Sequence, residues 1–309
     1  MSCFVRRFKQ LNPDRQYFGL ITRIFEDGII QEGRNGRTLS HFGYQMEFML
    51  RDTNNTPVVP LLTTKRVAWK TCLKELLWFM RGDTQNDSLV KENVHIWTPN
   101  ASREFLDSRG LYERSEGDLG PVYGFQWRNF NGDYTTKSGG VDQLDQLIKN
   151  LQNPDERYGR RHIISAWNPC QLNEMALPPC HVMFQFYISK CKNTQRDMLS
   201  CHLYQRSGDV ALGIPFNIAS YSFLTHIIAN HCGFVPHRFI HSIGDAHIYE
   251  EHLTSLETQL TRIPYECGVP IIKFSDKCSN YKNVDEYKVN DISLLGYKYH
   301  PKIEMEMIA

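Results

Sequence analysis

No stretch of the 309 residues approaches the ~18 consecutive apolar residues that a membrane helix needs, and the longest run, Leu76 to Met80, is little more than one turn. A membrane span is therefore not expected. Charge of one sign is also missing: 35 Lys+Arg stand against 34 Asp+Glu, a net charge of +1. That balance excludes a polyanion-coated or acidic-tail protein, and any basic patch for phosphate must be local. The nine cysteines are odd in number and contain no C-x-x-C pair, which argues against a disulfide framework and against a cysteine-rich zinc site. Reduced thiols, and with them a cytoplasmic or nuclear compartment, are expected. Linkers rich in Gly, Ser or Pro, blocks of like charge and internal repeats are absent, so the chain reads as one domain over 1–309, with the order of an N-terminal stretch 1–15 left open. Met1 to Gln10 carries Arg6, Arg7 and Lys9 without a continuous apolar segment and reads as no secretory signal. Neither G-x-G-x-x-G nor G-x-x-x-x-G-K-[ST] occurs, so any phosphate must meet side chains, above all arginines.

What is present is helical periodicity mixed with short β-rich segments. Val67, Trp69, Cys72, Leu73, Leu76, Leu77 and Met80 recur at spacings of a buried helix that ends at Gly82 and carries one acid, Glu75. Further helices are predicted from Asp142 to the Asn153-Pro154 break, from Pro215 to Gly233, and over Leu253 to Leu260 before Pro264. Strands are predicted at His162–Trp167, His181–Ile188, Leu199–Gln205, Phe239–Ile243 and Pro270–Phe274. Strands follow one another across polar turns more often than across helices, which favours an α+β sheet over a regular βαβ wind. Positions 98–118 read as a charged surface excursion, and the tail after Gly296 as too short for an element of its own.

The chemistry-bearing residues cluster in a few segments. Cys180 follows two prolines and precedes a strand, so its backbone is fixed, as a nucleophile requires. An unselected cysteine is nonetheless more often a small buried hydrophobe. His181 adjoins it, yet neighbours on a strand point to opposite faces, which weakens a cysteine-hydrolase reading. Tyr204 to Asp209 brings together Gln205, Arg206, Ser207 and Asp209; Pro215-Phe216-Asn217 sits at a loop-to-helix junction; His247 and Tyr249 share one face if extended. Arg34 and Arg37 in a Gly/Asn turn, the Arg160-Arg161 pair and Arg206 beside Ser207 are the places where a guanidinium fork suits phosphate, although any one alone is usually a solvated surface group.

Taken in order, Pro60 to Lys65, Glu75 to Phe79, His95-Ile96-Trp97, Gly117 to Gly124, Gln126-Trp127-Arg128, Ala176 to His181, Tyr204 to Asp209, Pro215 to Tyr221 and Gly244 to Tyr249 resemble the thymidylate synthase family over most of the chain. The resemblance implies a large mixed sheet flanked by helices that packs on its mate in a homodimer, and reductive methylation of dUMP to dTMP. Methylenetetrahydrofolate would be the donor of carbon and hydride, with no metal and no obligatory nucleic acid. It implies that Cys180 attacks C6 of the uracil, that Arg206 favours the thiolate, and that Glu75, Tyr123 and His181 serve proton transfer. Asn217 would read uracil against cytosine, since its amide both accepts and donates. Arg34, Arg206 and Ser207 would hold the phosphate with Arg160 and Arg161 of the second subunit, Gln205 would line the nucleotide, and His247 and Tyr249 would meet the deoxyribose. Asp209 would lie between nucleotide and folate, and Ile96, Trp97, Leu212, Gly213, Phe216, Met307 and Ile308 would face the folate.

Two departures from the family pattern stand out. The Arg34-Asn35-Gly36-Arg37-Thr38 loop is one residue shorter than the family's, which leaves the phosphate role open between Arg34 and Arg37. Glu304 stands where many relatives have lysine, with Lys302 the nearby substitute. The nearest alternative is a pyrimidine nucleotide hydroxymethylase, in which water completes the reaction; a catalytically dead nucleotide- or RNA-binding relative would not need Cys180, Asn217, Glu75 and Tyr123 together.

Overall fold

The computed structural model describes residues 12–33, 35–191 and 194–308. The first helix, α1 (Pro13–Asp27), starts on proline, and the Asn12 side chain accepts from the Arg15 amide. Its first three residues belong to the stretch 1–15 and are helical. A hairpin follows, β1 (Ile29–Gly33) and β2 (Gly36–Met49), which the sequence reading did not anticipate. Then come α2 (Trp69–Met80), the short helices α3 (Asn86–Val90), α4 (Thr98–Ala101), α5 (Arg103–Ser108) and α6 (Tyr123–Asn129), and α7 (Gln143–Gln152). The second half alternates β3 (Ile163–Ser165), β4 (His181–Lys190), β5 (Asp197–Asp209), α8 (Gly213–Cys232), β6 (Val235–Tyr249) and α9 (Leu253–Leu260), and closes with the two-stranded β7 (Ile271–Phe274) and β8 (Ile292–Leu295).

Six strands form one mixed sheet in the order β1-β2-β6-β5-β4-β3. All neighbours run antiparallel except β5 and β6, which are parallel because α8 crosses between them. This is the α+β architecture expected. One contiguous apolar cluster extends from Tyr17 through the sheet and α2 to Ile292. Helix α8 is buried on every side rather than along one stripe, as a central helix must be. Its polar residues turn inward on the backbone: Ser222 Oγ donates to the Ile218 carbonyl and Thr225 Oγ1 to that of Tyr221, each at 2.7 Å. Gly233, at φ 74°, ends it in the left-handed region.

Two expectations need correction. The excursion at 98–118 is not purely surface: α4 and α5 fold back so that Ala101 and Leu106 are buried in the core. Strands β5 and β6 run well past the predicted ends, to Asp209 and Tyr249, because polar residues there face a site rather than solvent.

Candidate active site

The site is built where the ends of β4, β5 and β6 meet the start of α8 and the flank of α2. Cys180 sits one residue before β4, and its backbone is held from both sides. Its amide donates to Tyr123 Oη at 2.7 Å, and its carbonyl accepts from the Arg206 amide at 2.9 Å. The Arg206 guanidinium donates to the carbonyls of Pro178 and Pro179, both at 3.0 Å, and rests 5.5 Å from the Trp167 ring. Arg206 thus clamps the loop that presents the thiol. Burial pushes the Cys180 thiol above its ordinary value, while the Arg206 charge and the Tyr123 hydroxyl pull it down. The expected direction of the arginine effect is present, but desolvation outweighs it.

Glu75 is the buried acid. It lies on α2, and its carboxylate accepts from the Trp97 indole N–H at 2.7 Å. Burial raises its pKa to about 7, with the Trp97 hydrogen bond opposing the rise. Tyr123 stacks on Phe79 at 4.8 Å, which Gly124 permits: a Cβ there would stand 2.7 Å from the Phe79 carbonyl oxygen. The Tyr123 ring meets His181 edge-on at 5.3 Å, and His181 meets Tyr221 at 5.2 Å. Desolvation pulls His181 down to about 4, with Asn217 opposing it, so at neutral pH the imidazole is uncharged. Glu75, Trp97, Tyr123 and His181 therefore line one path that ends beside Cys180.

Opposite this path, Gln205 is fixed in a polar chain. Its amide nitrogen donates to Asn217 Oδ1 and to the Ser207 carbonyl, both at 2.9 Å, and its oxygen lies 2.9 Å from His241 Nε2. Asn217 is oriented by this bond: its oxygen accepts from Gln205 with one lone pair and keeps the second, and the amide is held against His181. Asp209 accepts from the amides of Ala211 at 2.9 Å and Leu212 at 3.2 Å and so shapes the turn that starts α8. His247 and Tyr249 share one face of β6, rings 5.4 Å apart, and Asp209 pairs with His247 across the parallel strands. Ser207 lies alongside Asp245 in the same register.

Ile96, Leu212 and Phe216 are half-buried apolar residues packed on the core beside this cluster, with Trp97 buried and Gly213 at the first turn of α8. Met307 is exposed and Ile308 half-buried at the end of a tail that His252 Nε2 holds through the Glu306 carbonyl at 2.8 Å. Arg160 and Arg161 are exposed, and among the described residues no side-chain hydrogen bond or ion pair ties either to Arg206, Ser207 or Cys180. Arg34 lies outside the described residues. Arg37 stands 3.5 Å from both Glu32 and Glu250, an arrangement that braces the hairpin. Lys302 is spent on Glu304 at 2.6 Å. Among the described residues no group of three or more His, Cys, Asp or Glu side chains could hold a metal.

Sequence reasoning missed a second polar node. Asp14 of α1 is fully buried and accepts from the amides and hydroxyls of Thr63 and Thr64 at 2.6 to 3.0 Å. Next to it Lys65 Nζ donates to the Ala211 carbonyl, and burial draws its pKa down to about 8. A buried acid at the second position of a helix carries no periodic signal, so only the structure pairs Asp14 with the Thr-Thr-Lys segment.

Fold and site together define an α+β protein that holds one thiol between an arginine and a tyrosine, beside a buried acid and an oriented amide. The thymidylate synthase family model matches residues 15–309, and the chain belongs to the thymidylate synthase family. It is 48% identical over 303 residues to the bifunctional dihydrofolate reductase-thymidylate synthase of Leishmania major, covering 96% of this chain and 55% of the relative. It is 48% identical to the thymidylate synthase of Homo sapiens (94% of this chain, 90% of the relative) and 46% to that of Herpesvirus ateles (97% and 99%). The chain thus spans about half the length of the bifunctional relatives it matches and nearly all of the shorter ones.

Proposed function

We propose that the chain is a single domain that converts dUMP to dTMP, with methylenetetrahydrofolate as donor of the one-carbon unit and of the hydride. The observation that carries this reading is the fixed thiol: Cys180 is held at amide and carbonyl, with Arg206 as the charge that favours its ionised form and the Asn217–Gln205 pair already oriented beside it. Thiolate attack at C6 of a uracil sends the ring electrons to C5 and O4, and C5 becomes the nucleophile. The proton later lost from C5 needs an acceptor near neutrality. Glu75, pushed up to about 7, is matched to that task, and Tyr123 and the uncharged His181 continue the path. Asn217 favours uracil, whose N3–H and O4 match an amide, over cytosine.

Gln205 and Ser207 on β5 and His247 and Tyr249 on β6 would bind the nucleotide's body, with Arg206, Ser207 and Arg34 on its phosphate. The open face of the sheet, with Gln45, His202, Tyr204, Ser242 and a half-exposed Tyr187, is where a second copy would pack and hand over Arg160 and Arg161. The half-buried Ile96, Leu212 and Phe216 fit a flat ring system, and Trp97, Gly213, Asp209, Met307 and Ile308 complete the set that would hold the folate, the last two excluding water. No helix among the described residues is long and apolar enough to cross a membrane. The thiols of Cys72, Cys170, Cys180, Cys201, Cys232, Cys267 and Cys278 are in no disulfide, which supports a reducing, cytoplasmic setting.

The test is denaturing mass analysis after incubation with 5-fluoro-dUMP and methylenetetrahydrofolate. A ternary adduct on the Cys180 peptide, absent in Cys180→Ser, is expected. A chain that forms no adduct, or one whose serine variant turns over dUMP as fast as the parent, overturns the proposal. Product mass separates methylation from the hydroxymethylase alternative.

A further inference from the structure

The helix that carries Glu75 presents a second, differently built face. Lys70, Lys74, Leu77 and Arg81 follow one another at intervals of four, three and four along α2 and form a single stripe, with Glu75 and Phe79 on the other side of the helix. The stripe is one wall of a surface hollow of about 430 Å³, and Glu92, Lys288, Val289 and Asn290 form the rest. Lys74 Nζ donates to the Glu92 backbone carbonyl and ties the walls together, while Lys70 lies 5.6 Å from the Trp69 ring. Among the described residues none of Lys70, Lys74, Arg81 and Lys288 stands within 4.0 Å of a carboxylate. Asp291, whose carboxylate accepts from the Lys288 amide, is already engaged by Lys277 and Tyr281. Four cations therefore face one hollow with a single carboxylate, in a chain whose net charge is only +1.

Like charges gathered without partners raise the local potential and attract a compact anion of high charge. The hollow lies within the size range of small-molecule sites, roughly 300–1,000 Å³. One guanidinium fork and three ammonium groups suit phosphate oxygens, and the floor is apolar, with Leu77 buried and Val289 half-buried. No aromatic side chain lines it, so it lacks the stacking platform that a single-stranded nucleic acid uses. The chain's own acidic tail does not reach it as a tether: Glu304 is paired with Lys302, and the Glu306 carbonyl is held by His252.

We propose that this hollow is a binding site for a small oligophosphate, a chain of two or three linked phosphates such as a nucleotide carries, separate from the thiol site. The experiment is calorimetric titration of sodium tripolyphosphate into the full chain at low ionic strength, with and without dUMP. One saturable site per chain is expected beyond any that dUMP blocks. In Lys74→Gln/Lys288→Gln its affinity should fall by about tenfold or more, and added salt should weaken it. Turnover of dUMP by that variant should match the parent. The proposal is overturned if the wild type shows no dUMP-independent site, or if the site survives the double substitution unchanged. It is equally overturned if triglutamate or a mixed-sequence oligoribonucleotide binds there more tightly than tripolyphosphate.

Discussion

Replacing Glu75 by glutamine tests the electrostatics of the site without reference to turnover. The carboxyl is buried, and its pKa is raised from 4.5 to about 7 by desolvation. A carboxylic acid with a raised folded-state pKa binds its proton more tightly folded than unfolded. Its contribution is therefore fully present below pH 4.5 and is lost as pH rises through about 7. The shift corresponds to roughly 3 kcal/mol across that window. Glutamine keeps an oxygen for the Trp97 indole N–H but has no charged form, so the variant carries no such loss. Urea unfolding of parent and Glu75→Gln at a series of pH values from 4.5 to 8.5 gives the difference directly, since every other titrating group cancels to first order. The variant should gain on the parent by roughly 3 kcal/mol between the ends of the series while losing its activity on dUMP. Stability curves that stay parallel across the window would show that Glu75 ionises normally in the folded chain, and the assignment of this acid to proton transfer would fall with it.

Other outcomes follow from the same geometry. In the Glu75→Gln background, melting temperature should drop as pH falls from 6.5 toward 4, because burial holds His181 and His226 near 4 and His241 near 3, and these groups charge only on unfolding; a flat profile refutes their neutrality. Arg206→Ala removes both the countercharge and the two bonds to the proline carbonyls, so alkylation of the Cys180 peptide by iodoacetamide should require higher pH than in the parent, and an unchanged pH profile would contradict the clamp. Asn217→Asp should move preference from dUMP toward dCMP in competition assays, and retention of the parental preference would show that the amide does not read the base. Arg37→Ala should change dUMP affinity by no more than about twofold, since Arg37 is already placed between Glu32 and Glu250 at an exposed position; a much larger loss would make it the phosphate ligand of the shortened loop.

The parts of this fold that were legible in the sequence are those whose pattern is local. The periodicity around Glu75 gives α2 to within two residues, and Asp142 and Gly233 mark helix ends through capping chemistry. The thiol, the amide and the arginine are legible only through the family resemblance of Ala176 to His181, Tyr204 to Asp209 and Pro215 to Tyr221 taken in order; alone, each reads as a buried cysteine, a turn or a surface group. What escaped was set by contacts across long sequence separations. The β1–β2 hairpin has little apolar alternation because β1 is exposed throughout, so locally its sequence shows only a Gly/Asn turn carrying arginines. Strands β5 and β6 continue through Arg206-Ser207-Gly208-Asp209 and Gly244-Asp245, residues that favour turns locally, because the parallel ladder pairs Ser207 with Asp245 and Asp209 with His247. The same ladder orders the site: by holding two polar strand ends side by side, it sets Gln205 opposite Ile243 and Asp209 opposite His247 near the start of α8, where Gln205 donates to Asn217. Polar residues that disfavour a strand locally are thus kept in one by the sheet, at the edge where the thiol is presented.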